Sequence, residues 1–386
     1  MTSVRPRRFV FISGNRTWGG SEELWSASAA VLAAQGHSVA VFKSVVDTTQ
    51  PRLRKLRDLG VRTADLTRFP FTPAALFRWL GNVSRPAQYA YEVVRLWLGL
   101  RFSRRPDLVV LSQGGNFDGF LLAGVLRRLR MPYVVICQKA TDLYWPPDVY
   151  LEPIRRMFAS AIEVFFVAQH NRRVTEEQLG FPLPRARVVR NPFLVAYAPR
   201  EDWPDESHGF RLACIGRLHP LEKGQDLLLR VLARDRWRER ALSVTFVGGG
   251  AHRDGLVEMA RHLELKNVTF AGFIDDPQSI WNDHHALVLP SRCEGLPLVI
   301  VEAMLSARVP IVTNVGGNAE VIEDGVSGFV ANAATEDALD DAMNRAWLRR
   351  DEWRAIGAVA SQRIRELVPP NPEELFAAQL VEIANA

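Results

Sequence analysis

The segment His285–Gly317, HALVLPSRCEGLPLVIVEAMLSARVPIVTNVGG, decides the fold. It opens on a short apolar run, HALVLPS, that reads as a strand, and it ends on another, PIVTNVG. Between them Pro297 suits the first turn of a helix, because its fixed φ fits there and its missing N–H would go unpaired anyway. The helix is thus expected to begin near Leu296 or Pro297, with Glu294 on the loop before it and Glu302 inside it. Strand, helix, strand is a βαβ unit and implies a parallel sheet. Eight residues span at most ~12 Å of helix and leave two side chains ~80° apart in projection. Glu294 and Glu302 are therefore placed to grip two parts of one elongated ligand, not to share a proton. Between them a glycine and a helix N-terminus offer amides that favour an anion. Hydroxyls, a diphosphate and more hydroxyls, in that order, describe a nucleotide diphosphate sugar. The plainer reading is that Glu294 complements the helix macrodipole and Glu302 lies on an exposed helical face.

The same rhythm runs through the rest of the chain. RRFVFISG, HSVAVFKS, PDLVVLSQ, PYVVICQK, EVFFVAQ and ARVVRNP read as strands of the first half, and FRLACIGR, LSVTFVGG, NVTFAGFI and SGFVAN as strands of the second, with helical patterns between most of them. The polar, proline-bearing APREDWPDESHG reads as a linker. The expected organisation is an N-terminal Rossmann-like domain over 1–197, a linker over 198–209, a second Rossmann-like domain over 210–368, and a last helix over 369–386 that the VPPNP break lets cross back to the first domain. Open parallel sheets bind ligands at their strand carboxyl ends, so the site is expected in a cleft between the two domains.

Length and composition agree with a globular protein of more than one domain: 386 residues, 47% hydrophobic and 24% charged. No apolar run reaches the ~18 to 20 residues of a membrane span, and the first ten residues carry no signal-peptide core. Cys137, Cys214 and Cys293 stand far apart, which indicates neither a disulfide framework nor a zinc site and fits a cytoplasmic location. The net charge of +5 hides an asymmetry. Up to Val195 there are 28 Lys and Arg against 14 Asp and Glu, and from Ala196 onward 20 against 29. A basic half attracts polyanions such as an anionic membrane or nucleic acid, or its charge serves solubility alone.

Further motifs carry chemistry. Arg217 and Lys223 follow a strand and stand beside Gly216 and Gly224, where fixed cations suit a diphosphate. Gly19 and Gly20 precede a helix starting near Ser21, so they either admit a ligand to the backbone or make a tight turn capped by Ser21. Gly248, Gly250 and Arg253 give G-x-G-x-x-R, which is not the dinucleotide fingerprint. No D-x-D pair is present, and adjacent His284 and His285 read as packed or surface histidines rather than ligands. No metal and no cofactor are expected.

Taken in order, IGRLHPLEKGQDLLLRVLA, the E-x7-E pair with EAM, the Gly-Gly after the next strand, GVSGFV and the opening GGSEELWSASAAVLAAQGHSVAVF resemble the signatures of the retaining glycosyltransferases of family 4. The resemblance covers nearly the whole chain and is strongest from Cys214 to Val330. It implies an α/β chain of GT-B fold, two doubly wound Rossmann-like domains facing each other across a cleft, acting on a UDP- or GDP-linked sugar. It implies that Glu294, with the amides of Gly295 and Leu296 and with Pro297 beside them, holds the donor sugar, that Glu302 takes the ribose hydroxyls, that Arg217 and Lys223 hold the diphosphate next to Gly216, and that Gly248 and Gly249 line the nucleotide end. Gly19 and Gly20 would touch donor or acceptor. The chain departs from the family in one respect: PYVVICQKATDLYWPPD lacks the first-domain histidine that many members carry, and offers Gln138, Lys139 and Asp142 instead. Asn116 and Asp118, after the preceding strand, form another acceptor loop.

The acceptor is expected to be a glycan or lipid-linked molecule of the glycolipid, lipopolysaccharide or envelope polysaccharide kind. Residues 78–107 interleave Trp79, Tyr89, Tyr91, Trp97 and Phe102 with arginines, a pattern suited to a bilayer surface or to a packed helix with exposed arginines. Nucleic acid is not an expected partner, since no reader motif accompanies the charge. Alternatives are a nucleotide-sugar epimerase of the same fold and a non-catalytic nucleotide-sugar-binding scaffold.

Overall fold

A computed structural model of the chain describes residues 5–68, 85–115, 117–198 and 202–386. It divides into two compact units, Met1–Pro192 with Asn371–Ala386, and Phe193–Pro370.

The first unit is built on strands β1 (Arg8–Ser13), β2 (Ser38–Lys43), β3 (Arg62–Asp65), β4 (Leu108–Gln113), β5 (Tyr133–Cys137), β6 (Val164–Phe166) and β7 (Ala186–Val188). They pair in parallel in the order β3-β2-β1-β4-β5-β6-β7. The order reverses between β1 and β4, a topological switch point whose carboxyl ends form a ligand crevice in open α/β sheets. Among the described residues the helices of this unit are α1 (Glu23–Ala34), α2 (Pro51–Asp58), α3 (Arg85–Arg101), α4 (Phe120–Arg128), α5 (Asp148–Ser160) and α6 (Gln169–Leu179). Strands β4 and β5 are buried along their whole length, as expected of central parallel strands covered on both faces.

The second unit pairs β8 (Phe210–Ile215), β9 (Leu242–Val247), β10 (Val268–Gly272), β11 (Ala286–Leu289), β12 (Val309–Thr313) and β13 (Phe329–Ala331) in the order β10-β9-β8-β11-β12-β13, with the switch point between β8 and β11. Its helices are α7 (Pro220–Lys223), α8 (Gln225–Leu232), α9 (Asp235–Arg238), α10 (Arg253–His262), α11 (Pro277–Asp283), α12 (Leu298–Leu305), α13 (Asn318–Val321), α14 (Glu336–Leu348) and α15 (Trp353–Leu367). Trp237, Phe246 and Trp353 anchor its core. The chain then returns to the first unit as α16 (Pro372–Asn385), which packs on α1: the Phe376 ring meets Phe165 edge-on at 5.0 Å, and Ser28 Oγ donates to the Glu373 carbonyl at 3.1 Å.

The boundary between the units falls earlier than the linker expected over 198–209. Phe193 stacks on Tyr197, whose hydroxyl lies 3.1 Å from the carbonyls of Arg365 and Val368, so this stretch belongs to the second unit. The segment behind it is held as well. Buried Arg308 donates to the Asp202 carbonyl, and His285 Nε2 lies 3.2 Å from the Pro204 carbonyl.

Candidate functional site

The second unit gathers its polar side chains at the carboxyl ends of β8 and β11, beside its switch point. Short helix α7 ends at Gly224, whose φ of +64° brings the backbone against loop 290–295; a Cβ there would overlap the Pro290 carbonyl. This contact delivers Lys223, whose Nζ lies 2.6 Å from Glu294 Oε1. Ser291 Oγ donates to the same oxygen at 2.7 Å. Glu294 is buried, and among the described residues no contact falls on its second oxygen, Oε2. The loop is clamped from below. Arg292 forks onto Asp226 at 2.7 and 2.8 Å, and the amides of Arg292 and Cys293 donate to the Glu222 carbonyl. Burial acts to raise the Asp226 carboxyl, but hydrogen bonds from Arg292 and Arg230 outweigh it and hold it below the usual carboxylate range. Arg217 pairs with Glu222 at 3.0 Å and keeps 54% of its side chain exposed, against 21% for Lys223.

Helix α12 begins at Leu298, with Pro297 as its N-cap residue rather than inside the first turn. Behind it Gly316, at φ +56°, packs so tightly on the Glu294 and Gly295 carbonyls that a Cβ would overlap both, and the Gly317 amide donates to Gly295 O at 2.6 Å. The Gly-Gly pair thus fixes the backbone that carries Glu294. Glu302 does not lie on an exposed face. It is buried, and its Oε1 accepts the Leu194 amide at 3.1 Å. A buried carboxylate needs such donors, and Leu194 was not legible as one. The glycine turn after β9 is equally constrained: Gly248 has φ +132°, a Cβ on it would overlap Gly216 O, and the Gly249 carbonyl accepts the Leu218 amide at 2.9 Å. It therefore lies directly against the Gly216–Leu218 loop that carries Arg217.

In the first unit Gly19 precedes a 3-10 turn over Gly20–Glu22, and α1 starts at Glu23 rather than near Ser21. Ser21 caps nothing; its hydroxyl accepts from Asn15 Nδ2. Gly19 is extended, at φ −168°, and nothing lies within 4 Å of where a Cβ would stand. Beside it sits a cluster that sequence reading missed. Buried Glu22 takes hydrogen bonds from Ser13 Oγ at 3.1 and 3.0 Å and from Asn15 Nδ2 at 2.7 Å, and pairs with buried Lys43 at 3.1 Å. Lys43 also donates to the Asn15 carbonyl. A lysine ending the apolar strand SVAVFK was the available signal.

The first-domain candidates scatter over neighbouring strand ends. Gln138 is buried just after β5, and its Oε1 accepts from Asn191 Nδ2 at 2.8 Å, while among the described residues Gln138 Nε2 and Asn191 Oδ1 have no partner. Asp118 accepts the Gly115 amide at 2.9 Å. The residue is exposed as a whole, but its carboxyl is tucked under its own loop; this local burial lifts it above the usual range, against the opposing pull of the Gly115 and Gly114 amides and Lys139. Lys139 lies over the Tyr144 ring at 6.0 Å, and Asp142 is exposed. Asn116 and Trp79 lie outside the described residues. Tyr89 and Phe102 are exposed, whereas Trp97 packs against the core.

His284 and His285 are packing groups. His285 Nδ1 accepts the Arg211 amide at 3.0 Å, so its proton sits on Nε2 toward Pro204, and burial followed by the Arg211 charge lowers its pKa to about 4. The three cysteines are buried and unbridged. Among the described residues no three His, Cys, Asp or Glu side chains converge as a metal site would require, and no helix is long and apolar enough to cross a membrane.

Residues 209–348 match the family Glycosyl transferases group 1. Over 164 residues the chain is 31% identical to the GDP-mannose-dependent alpha-(1-6)-phosphatidylinositol monomannoside mannosyltransferase of Mycobacterium tuberculosis, covering 39% of this chain and 42% of that protein. Its counterpart in Mycolicibacterium smegmatis is 34% identical over 247 residues, 58% of this chain and 63% of that one. The chain spans about half the length of the curated relatives it matches. Among solved structures, Anabaena HepE in complex with UDP and glucose superposes with a TM-score of 0.75 at 19% identity, over 97% of this chain and 99% of that one. The two Rossmann-like sheets are those of the GT-B fold, and within the second of them residues 209–348 match the glycosyl transferases group 1.

Proposed function

We propose that the protein is a metal-independent, retaining glycosyltransferase that moves a hexose or related sugar from a UDP- or GDP-linked donor to a glycolipid, lipopolysaccharide or other envelope polysaccharide precursor. The observation that carries this reading is the Lys223–Ser291–Glu294 array, which lies inside the family match and leaves one carboxylate oxygen open.

The chemistry follows from donor and acceptor capacity. A lysine has three N–H donors and an arginine five. Lys223 can keep Glu294 and still donate to a phosphate, and Arg217, half in solvent, can swing from Glu222 onto the diphosphate. Together with the α12 N-terminus they stabilise the charge that develops as the diphosphate departs, the role a metal would otherwise take. Glu294 Oε2 accepts a sugar hydroxyl, the Gly295 and Leu296 amides steady it, and Glu302 takes the ribose hydroxyls. The leaving phosphate oxygen receives the acceptor proton, so no protein base is required. This agrees with Gln138, which cannot titrate, just after β5. Asn116, Asp118, Lys139, Asp142 and the Gly19–Gly20 turn are assigned to acceptor or sugar contact. The protein works in the cytoplasm at the inner face of a membrane, with the arginine-bearing α3 surface toward anionic lipid; that placement fails if the chain does not co-sediment with anionic vesicles at low salt.

Calorimetry with a panel of UDP- and GDP-linked sugars tests the proposal. One donor should bind the wild type, and Glu302→Ala should weaken it about ten-fold or more, from ~1.5–3 kcal/mol for hydrogen bonds to a charged group. If no donor binds, or Glu302→Ala binds as wild type does, the proposal fails.

A further inference from the structure

The loop joining β5 to α5 exposes large apolar side chains in succession. Leu143, Tyr144 and Trp145 stand out of the loop, and Val149 and Tyr150 follow in the first turn of α5, with Trp145 64% exposed. Scattered surface apolar residues need no explanation, but a run of them marks a contact site.

The backbone beneath them is held. Gln178, buried on α6, points its Nε2 at the Thr141 carbonyl at 3.0 Å and the Tyr144 carbonyl at 3.4 Å. The Leu143 amide donates to Thr141 Oγ1 at 3.2 Å, and Thr141 and Pro146 are buried on either side of the rings. The exposure of Trp145 is therefore imposed by a fixed loop. Tyr150 is braced in turn by Phe120, ring to ring at 5.2 Å.

Charge tells what would cover these rings. Asp142 and Asp148 flank them in the exposed loop, and Lys139 lies over the Tyr144 face, so cations are not in excess here as they are after α3, where Arg101, Arg104 and Arg105 follow one another. Such a rim does not complement an anionic bilayer or a phosphate. It suits a ring with C–H bonds on its faces and hydroxyls at its edge. The C–H face meets the negative face of an aromatic ring, and carboxylates accept from the hydroxyls.

We propose that Tyr144 and Trp145 form an aromatic shelf in the first unit that stacks one neutral pyranose of the acceptor glycan, with Asp142 at its hydroxyl edge. The assignment rests on the glycosyltransferase reading above and adds to it the chemical class the acceptor presents at this surface.

The test is titration of the full chain with maltose, mannobiose, lactose and cellobiose, followed by saturation-transfer NMR and tryptophan fluorescence, for wild type, Trp145→Ala and Trp145→Phe. At least one disaccharide should saturate the wild type at millimolar concentration. Trp145→Ala should weaken it about ten-fold, the scale of an aromatic anchor, Trp145→Phe should recover most of the loss, and both variants should unfold at the wild-type temperature. Absence of binding by all four sugars, or equal binding by Trp145→Ala, overturns the shelf. So does Trp145-dependent binding to uncharged phosphatidylcholine vesicles without sugar binding, which would make the loop a lipid contact. Donor calorimetry on the wild type, run alongside, separates the two failures: a chain that binds donor but no disaccharide refutes the shelf alone.

Discussion

Each unit sets a lysine against a glutamate at its strand carboxyl ends, and the two pairs differ in what surrounds them. Lys43 and Glu22, 3.1 Å apart, are closed off, with side-chain exposures of 2% and 0%, and Ser13 and Asn15 fill the remaining positions around the carboxylate. Lys223 and Glu294 are closer, at 2.6 Å, but the lysine reaches solvent and, among the described residues, Glu294 is hydrogen-bonded through one oxygen only. A saturated buried pair is a fold element that breaks badly, since removing one partner strands a charge. An unsaturated pair has capacity left for a ligand. On the proposed function the same two residue types serve as a staple in the first unit and a donor-binding element in the second, and their unused valences, not their identities, mark the difference.

The largest effect should come from the staple: Glu22→Ala or Lys43→Met should cost ~3–5 kcal/mol of stability in denaturant unfolding. If either variant unfolds as wild type does, the pair is not closed. Next is Gly224→Ala, where positive φ and the Pro290 carbonyl both oppose a Cβ; a loss of ~1–3 kcal/mol is expected, with donor binding weakened because Lys223 is misplaced. A third effect depends on pH. An unfolded histidine takes a proton near 6.5, but folded His285 does so only at about 4, because burial and then the Arg211 charge disfavour its protonated form. The unfolded chain therefore binds more protons between these values, so this contribution is complete above about 6.5 and is lost as pH falls toward 4. Thermal unfolding of His285→Gln should show a shallower pH dependence over that window than the wild type, and parallel curves would contradict it. The smallest effect on stability belongs to Gly19→Ala. With extended φ and open space around it, it should change stability by less than ~0.5 kcal/mol while impairing turnover, if the absent side chain serves a ligand rather than the fold.

Much of the second unit was legible because several constraints coincide in a few residues. Gly224, Gly316 and Gly248 each sit at a backbone approach that admits no Cβ, so each glycine stands in the sequence next to the polar residues it positions. The strand alternation pointed to the parallel sheets, and the fold followed, with the family match confined to residues 209–348. What stayed hidden depends on long-range pairing. Lys43 and Glu22 meet only because β2 pairs with β1 and brings Lys43 beside Ser13, and no local pattern announces that register. The plainer reading put Glu302 on an exposed helical face, because burial of a carboxylate on α12 depends on Leu194, a residue from far back in the chain. The unit boundary was displaced for a similar reason: Tyr197 is drawn into the second unit by carbonyls of α15 and the residue after it. Trp145 was visible as an aromatic, but its enforced exposure comes from Gln178 on another helix.

The most direct test of the contrast is Glu294→Gln, which keeps the shape and removes the charge. Nucleotide-sugar binding by calorimetry and thermal unfolding should be measured on the same preparation. Donor affinity should fall about ten-fold or more, while stability falls by well under the ~3–5 kcal/mol expected for Glu22→Ala, because glutamine keeps an acceptor oxygen for Lys223 and Ser291. Unchanged donor affinity, or a collapse in stability of the size expected for Glu22→Ala, would show that Glu294 is a second staple and that the donor site lies elsewhere.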